Sequence, residues 1–189
     1  MFVLGFTAPL GFAQPIGAVT TPPLRWQVLD AGDEVRDIRY KLIWRRCVEG
    51  MHWAGHFCAG VPKRMSYADA LALVSKMGKD TGQKWRLPHV PELRALVVDA
   101  DRAAPDAARV DPELFPQAPA GWYWTGSSTV GAGAINSYNY GNVAKGLTSS
   151  NANHLAVTRG WAYHGQTTEA VGNVIKREAL YVRWVRPDF

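Results

Sequence analysis

The stretch RCVEGMHWAGHFCAG constrains the fold of this chain most, because it holds both of the cysteines. Cys47 and Cys58 lie near its ends, with His52 and His56 between them. Two thiolates and two imidazoles form a possible zinc site, but known structural sites mostly take their ligands in close pairs, whereas here distant cysteines close a loop around both histidines. A disulfide would instead stabilise the fold by on the order of 3 kcal/mol and requires an oxidising compartment. The spacing favours the disulfide and leaves zinc open.

The start of the chain favours export to such a compartment. The apolar run in MFVLGFTAPLGFAQP is followed by Gly11 and Ala13, small residues that fit a signal-peptidase site. We therefore predict a signal peptide over residues 1–13, a linker over 14–24 and one domain over 25–189, in a periplasmic, secreted or cell-surface protein. The basic region expected before the apolar run is missing, so a frayed apolar tail is the alternative. No transmembrane segment is predicted, because a span needs about 20 apolar residues.

Composition and periodicity indicate an α+β domain. Eight Trp, seven Tyr and eighteen Gly favour strands and loops over a helical bundle. Apolar residues alternate with charged ones from Ile38 to Trp44, with Ile43 the one exception, which predicts a strand. A helix is predicted to begin at Ser66, which forms a capping box with Asp69, and to end at Gly78.

Further elements follow along the chain. PELRALVVDA predicts a short second helix with Pro91 at its first position. Trp122–Trp124 and Tyr181–Val185 are predicted strands. Between them, residues 125–173 are rich in Gly, Ser, Asn and Thr, which predicts short strands joined by large loops.

The aromatic and amide side chains of that segment are candidate ligand-binding residues. Aromatic rings can stack on sugar faces and amides can bond hydroxyl or peptide groups, although the rings could equally lie in the core and the asparagines close turns. The candidates are Asn136, Tyr138, Asn139, Tyr140, Asn142, Trp161 and Tyr163.

Basic residues flank the cysteine loop in sequence. The net charge of +5 permits weak attraction to polyanions, without predicting a specific nucleic-acid partner. A basic face for sulfated or phosphorylated polymer is one interpretation, and a solvated surface is the other. The residues are Arg36, Arg39, Arg45, Arg46, Lys63 and Arg64.

Six strings in order resemble the Lcl C-terminal domain family, a bacterial family of unknown function that includes the C-terminal domain of collagen-like adhesins. The strings are WRRC with CAG, then YADAL, WRLPHVPEL, LFP, YWTGSS and YVRWVR. The matching residues are Trp44, Arg46, Cys47, Cys58, Gly60, Ala70, Trp85 to Pro88, Glu92, Leu93, Phe115, Pro116, Tyr123, Trp124, Ser127, Ser128, Tyr181 to Arg183, Val185 and Arg186. The resemblance runs from about Trp26 to the end, with a gap between Ser128 and Tyr181.

The resemblance implies a C-type-lectin-like fold in which two short helices pack on an antiparallel sheet with long loops. It also implies that Cys47 and Cys58 form a disulfide. The sequence departs from the family where an Asp followed by Thr-Gly-Leu usually precedes the tryptophan matching Trp44. RDIRYKLIW stands there, and we expect a more extended conformation in place of the turn.

The function predicted on this basis is a secreted or surface-associated, adhesin-like module that binds a glycan, an acidic polysaccharide or a surface protein. The alternatives are a structural component of a pilus or envelope complex and, with less support, an enzyme resembling formylglycine-generating enzymes, whose active-site cysteines lie later in the fold. The calcium signatures of C-type lectins and the nucleophile elbow are missing, and Ser127 and Ser128 are more often turn residues. No metal, cofactor or catalytic residue is predicted.

Overall fold

The computed structural model describes residues 24–128 and 157–189. The predicted signal peptide, and the predicted linker except Leu24, lie outside the described residues. In chain order the elements are β1 (Trp26–Val28), β2 (Glu34–Asp37), β3 (Leu42–Arg45), β4 (Met51–Trp53), β5 (Cys58–Gly60), β6 (Arg64–Met65), α1 (Tyr67–Thr81), α2 (Val90–Ala95), β7 (Trp122–Trp124), β8 (Arg159–His164), β9 (Ala170–Ile175), β10 (Leu180–Tyr181) and β11 (Val185–Pro187).

The strands form two sheets and a separate hairpin. The first sheet is antiparallel, with the order β1-β2-β3-β11. The second has the order β6-β10-β7-β8-β9 and is antiparallel except between β10 and β7, which run parallel. Strands β4 and β5 pair only with each other among the described residues. The chain is therefore a mixed α+β protein with mostly strands and two short helices, as predicted.

The buried side chains form two apolar clusters. The first lies between the four-stranded sheet, α2 and β8, with Trp44, Leu93 and Phe115 among its buried residues. The second lies between the five-stranded sheet and α1, where Trp124 is buried and donates its indole N–H to the Met65 carbonyl at 2.9 Å. Burial of these large side chains is the main contribution that stabilises the two layers.

The predicted strand from Ile38 to Trp44 is only half correct. Residues 38–41 form a turn between β2 and β3, and the side chains of Ile38 and Tyr40 are exposed. The buried Asp37 carboxylate sets this turn, because its Oδ1 accepts the backbone N–H groups of Arg39 and Tyr40 at 3.1 and 3.2 Å. Our expectation of an extended segment was therefore wrong: a turn is present, and an aspartate begins it.

Helix α1 begins where predicted and ends later. The Ser66 side chain caps it by accepting the N–H of Asp69 at 3.2 Å. The prediction that Gly78 ends the helix is wrong, because the chain continues in α-helix to Thr81. Gly82, at φ 66°, provides the left-handed conformation that closes the helix.

Helix α2 is short, as predicted, but begins one residue before Pro91. The N–H of Val90, its first residue, donates to the hydroxyl of Ser127 at 2.9 Å. Glu92 accepts the N–H of His89 at 2.7 Å and a bidentate pair of bonds from Arg86. Ser127 therefore has a structural role here, joining α2 to the segment that follows β7. Of the described helices, none has the length and apolar character needed to cross a membrane.

Candidate ligand-binding pocket

The two cysteines form a disulfide, and the loop between them is a hairpin. The Cα atoms of Cys47 and Cys58 lie 5.5 Å apart, and β4 pairs with β5 inside the loop. The N–H of Cys58 donates to the side-chain oxygen of Gln117 at 2.9 Å, which ties the hairpin to the protein. Since both sulfur atoms are bonded to each other, the alternative zinc site with two thiolates is wrong. His52 and His56 are exposed on the hairpin.

A cavity of about 370 Å³ opens beside this disulfide. That volume lies within the range of about 300–1,000 Å³ usual for small-ligand sites. Its polar and aromatic lining comes from Asp33, Arg45, Glu49, His52, Trp53 and Trp184. These residues come from the turn before β2, the end of β3, the hairpin and the segment between β10 and β11, so the fold brings distant parts of the chain together here.

The Glu49 carboxylate is fixed by the protein beneath it. Trp184 is fully buried, and its indole N–H donates to Glu49 Oε2 at 2.7 Å. The backbone N–H of Glu49 donates to the Val182 carbonyl at 2.9 Å. Oε1 has no hydrogen bond within the described part of the chain, which leaves one oxygen of a well-held carboxylate available.

Asp33 and Arg45 line the same cavity without pairing. The backbone holds both: the Asp33 carbonyl accepts the N–H of Arg46 at 2.9 Å, and the Arg45 N–H donates to Trp184 O at 3.1 Å. Among residues 24–128 and 157–189, the Asp33 carboxylate has no hydrogen bond or ion pair, and the buried Nε of Arg45 has no acceptor. The cavity thus presents the Asp33 carboxylate as an acceptor that the described protein leaves unsatisfied, whereas the Arg45 Nε has no accessible surface and its guanidinium lies 5.4 Å from the centre of the Trp85 ring.

Trp53 is held at the cavity by Arg46 and Gly32. The Arg46 guanidinium lies 3.9 Å from the centre of the indole ring. At φ 75°, Gly32 approaches the ring so closely that a Cβ there would lie 2.7 Å from the indole nitrogen. Any side chain at residue 32 would therefore displace the indole.

Arg46 is a structural residue and does not belong to a basic surface, contrary to our prediction. It is buried and donates to the backbone carbonyls of Gly32, Glu113 and Leu114. Burial lowers the pKa of its guanidinium. The side chain joins the cavity wall to the loop before β7, so it fixes the position of Trp53 rather than meeting a polymer.

The other five predicted basic residues are divided among different surroundings. Arg45 lines the cavity, and Arg36 is 3.0 Å from Asp188 in an ion pair. Arg39 is exposed in the turn after β2, Lys63 is exposed just before β6, and Arg64 is exposed at the start of β6. The charge of at least Arg36 and Arg46 is thus engaged by the protein itself.

Two of the predicted aromatic ligand-binding residues lie in β8. The Tyr163 ring is only 4% exposed and belongs to the first core cluster, so it offers no open face to a sugar. Burial raises the pKa of Tyr163 to about 12, although Arg94 and Arg109 act in the opposite direction. Trp161 is half-buried and covers Gly172 on β9, where a Cβ would lie 2.6 Å from the indole.

The other five predicted ligand-binding residues are not among those that the structure describes. Asn136, Tyr138, Asn139, Tyr140 and Asn142 lie outside the described residues.

The residues of the cavity were mostly missed by reasoning from the sequence. Trp53 lies inside the loop between Cys47 and Cys58, but nothing in the sequence distinguishes an aromatic residue that lines a cavity from one that packs in a short strand. Asp33 and Glu49 lie 16 positions apart, and only the pairing of β2 with β3 and the hairpin that follows bring them to one cavity. Arg45 alone was among the predicted binding residues. The described residues contain no cluster of three or more His, Cys, Asp or Glu that could hold a metal ion.

Comparison with known proteins gives a family match. A family model described as the Lcl C-terminal domain matches residues 33–186, most of the chain. No curated protein and no solved structure matches it. The matched range includes the disulfide and every polar residue of the cavity named above.

Proposed function

The chain belongs to the Lcl C-terminal domain family, and from this premise we propose that it is a secreted or surface-associated adhesin-like module that binds its ligand in the cavity beside the disulfide. The ligand would be a glycan or a protein, and the fold would be C-type-lectin-like. The disulfide supports a periplasmic or extracellular location, because such bonds persist in oxidising compartments.

One observation carries the proposal: Asp33 and Arg45 line one open cavity, and within the described residues neither charge has an ion pair. Ligand pockets carry a small number of convergent polar groups that orient the ligand, and these two charges lie on the cavity as such groups would. An indole at the same cavity adds an apolar surface of the kind that sugars and proteins both contact.

The surroundings of the cavity favour a rigid site. The disulfide closes the hairpin, Trp184 fixes Glu49, and Arg46 fixes Trp53. A site held in its binding conformation loses less conformational entropy when the ligand arrives, and therefore binds more tightly for the same contacts.

The test is a binding screen of the oxidised chain against glycans and extracellular proteins. Asp33→Asn keeps the size of the side chain and removes the charge in the cavity. Asp80→Asn on α1 is the matched control, because Asp80 is exposed and does not line the cavity. We expect a ligand whose binding weakens with Asp33→Asn and not with Asp80→Asn. Co-purification with large partners, without affinity for any free ligand, would instead favour the structural role in a pilus or envelope complex.

A further inference from the structure

We infer that the cavity beside the disulfide selects a neutral sugar, without sulfate or phosphate groups, by placing two carboxylates and one guanidinium around an indole. This inference rests on the proposed function and gives its ligand a chemical class. The net charge of the chain is +5, which by itself would suggest a polyanionic ligand, so the inference is opposite to what the net charge suggests.

The cavity carries more negative than positive groups of fixed charge. Asp33 and Glu49 contribute two carboxylates, and Arg45 contributes one guanidinium. The Asp33 carboxylate has no cation within ion-pair distance among the described residues, so its charge is not neutralised locally. A sulfate or phosphate group in this cavity would lie close to uncompensated like charge, which opposes binding.

A purely cationic ligand fits no better. Arg45 lines the cavity and would repel it.

Hydroxyl groups suit a cavity with charges of both signs, because each one donates one hydrogen bond and accepts others. Several hydroxyls on one ring can donate to the carboxylate oxygens of Asp33 and Glu49 and accept from Arg45. Glu49 is suited to this, since Trp184 holds Oε2 and leaves Oε1 open within the described structure.

The apolar part of the cavity agrees with a sugar ring. Trp53 is half-buried, and Arg46 and Gly32 hold it in place, so the indole keeps its position before the ligand arrives. The C–H groups of a pyranose face pack on an indole while its hydroxyls point to polar groups. A volume of about 370 Å³ suits a small ligand or the end of a chain.

The test measures binding of the full oxidised chain to two sets of glycans, one neutral and one sulfated, at low and high salt. The account predicts that neutral glycans bind with little dependence on salt, because counterion release does not drive their binding. Asp33→Asn should weaken this binding about tenfold, the loss expected when a hydrogen bond to a charged group becomes one to a neutral group. Asp80→Asn should leave it unchanged.

The sign of the Asp33→Asn effect separates the possibilities. If the ligand is a polyanion in this cavity, removing a carboxylate raises affinity, and binding falls steeply with salt; that result overturns the inference and leaves the proposed function standing. Neutral-glycan binding that Asp33→Asn does not change also overturns the inference, because the sugar then binds elsewhere. Silence toward every glycan and every protein would overturn the proposed function itself. Unchanged thermal unfolding of Asp33→Asn confirms that a lost affinity is not lost folding.

Discussion

Removing the disulfide gives the sharpest stability prediction. The double substitution Cys47→Ala and Cys58→Ala opens the loop between two cysteines that lie 11 positions apart in the sequence. On the chain-entropy relation, closing a loop of this length lowers the entropy of the unfolded chain by about 9 cal/mol/K, which is about 3 kcal/mol at room temperature. For a chain of 189 residues this corresponds to a fall in the melting temperature of about 6–12 °C.

Urea unfolding followed by tryptophan fluorescence tests both the size and the cause of this effect. Because the bond constrains the unfolded chain, the variant should also show a steeper dependence of unfolding free energy on urea, as its unfolded state exposes more surface. A reductant should destabilise the natural protein to the level of the variant and leave the variant unchanged. A variant that unfolds within about 0.5 kcal/mol of the natural protein would refute the reasoning.

Three further predictions concern buried polar groups. Arg46→Met removes the hydrogen bonds to three backbone carbonyls and should lower the unfolding free energy by about 3–5 kcal/mol, measured by urea unfolding; a loss below about 1 kcal/mol would contradict its structural role. For Glu92, burial alone would raise the pKa, but the bonds from Arg86 and the His89 N–H outweigh it and hold the pKa of the carboxyl below its ordinary value, so the stability that it contributes is lost as the pH falls through the acid range. Glu92→Gln should flatten this acid loss in melting temperatures measured from pH 6 to pH 3, about the span over which carboxylates titrate; an unchanged slope would refute the assignment. Tyr123→Phe should lower the unfolding free energy by about 1 kcal/mol in thermal unfolding, because the Tyr123 hydroxyl donates to a backbone carbonyl at 2.6 Å. Tyr163→Phe should leave the unfolding free energy unchanged, since the Tyr163 hydroxyl has no partner among the described residues. Equal losses in the two variants would show that the Tyr163 hydroxyl is hydrogen-bonded.

Local signals in the sequence predicted local structure well. Ser66 with Asp69 identified the start of α1, because a capping side chain and the backbone it bonds lie within one turn of helix. The end of α1 was misjudged because Gly78 and Gly82 are equally plausible by residue type. Which glycine adopts the left-handed conformation depends on the packing of the last turn, and that information is not local.

The turn after β2 shows the same limit. Charged and apolar residues alternate from Asp37 to Arg45 except at Ile43, and this pattern alone predicts a strand. The buried Asp37 carboxylate instead binds two backbone N–H groups and the Arg25 guanidinium, which lies 2.8 Å away. Because Arg25 is twelve positions earlier, the pattern within the segment could not reveal this interaction.

The disulfide was predicted through family resemblance, but the cavity beside it was not predicted at all. Its lining joins residues 33, 45, 49, 53 and 184, so the site depends on sheet pairing and on the return of the chain's last strands. Residue types alone favoured Trp161 and Tyr163, because aromatic residues among glycines and asparagines resemble a binding loop. Burial of Tyr163 shows that the same residue type serves the core as readily.

The central claim, that the ligand binds beside the disulfide, is tested most directly by following the tryptophan indole N–H signals by NMR during ligand titration. Substituting Trp53, Trp161 and Trp184 one at a time by Phe assigns their signals. The account predicts that the Trp53 and Trp184 signals shift with ligand concentration and that the Trp161 signal stays in place. Shifts confined to Trp161, with Trp53 and Trp184 unmoved, would contradict it and move the binding site to the β8–β9 surface.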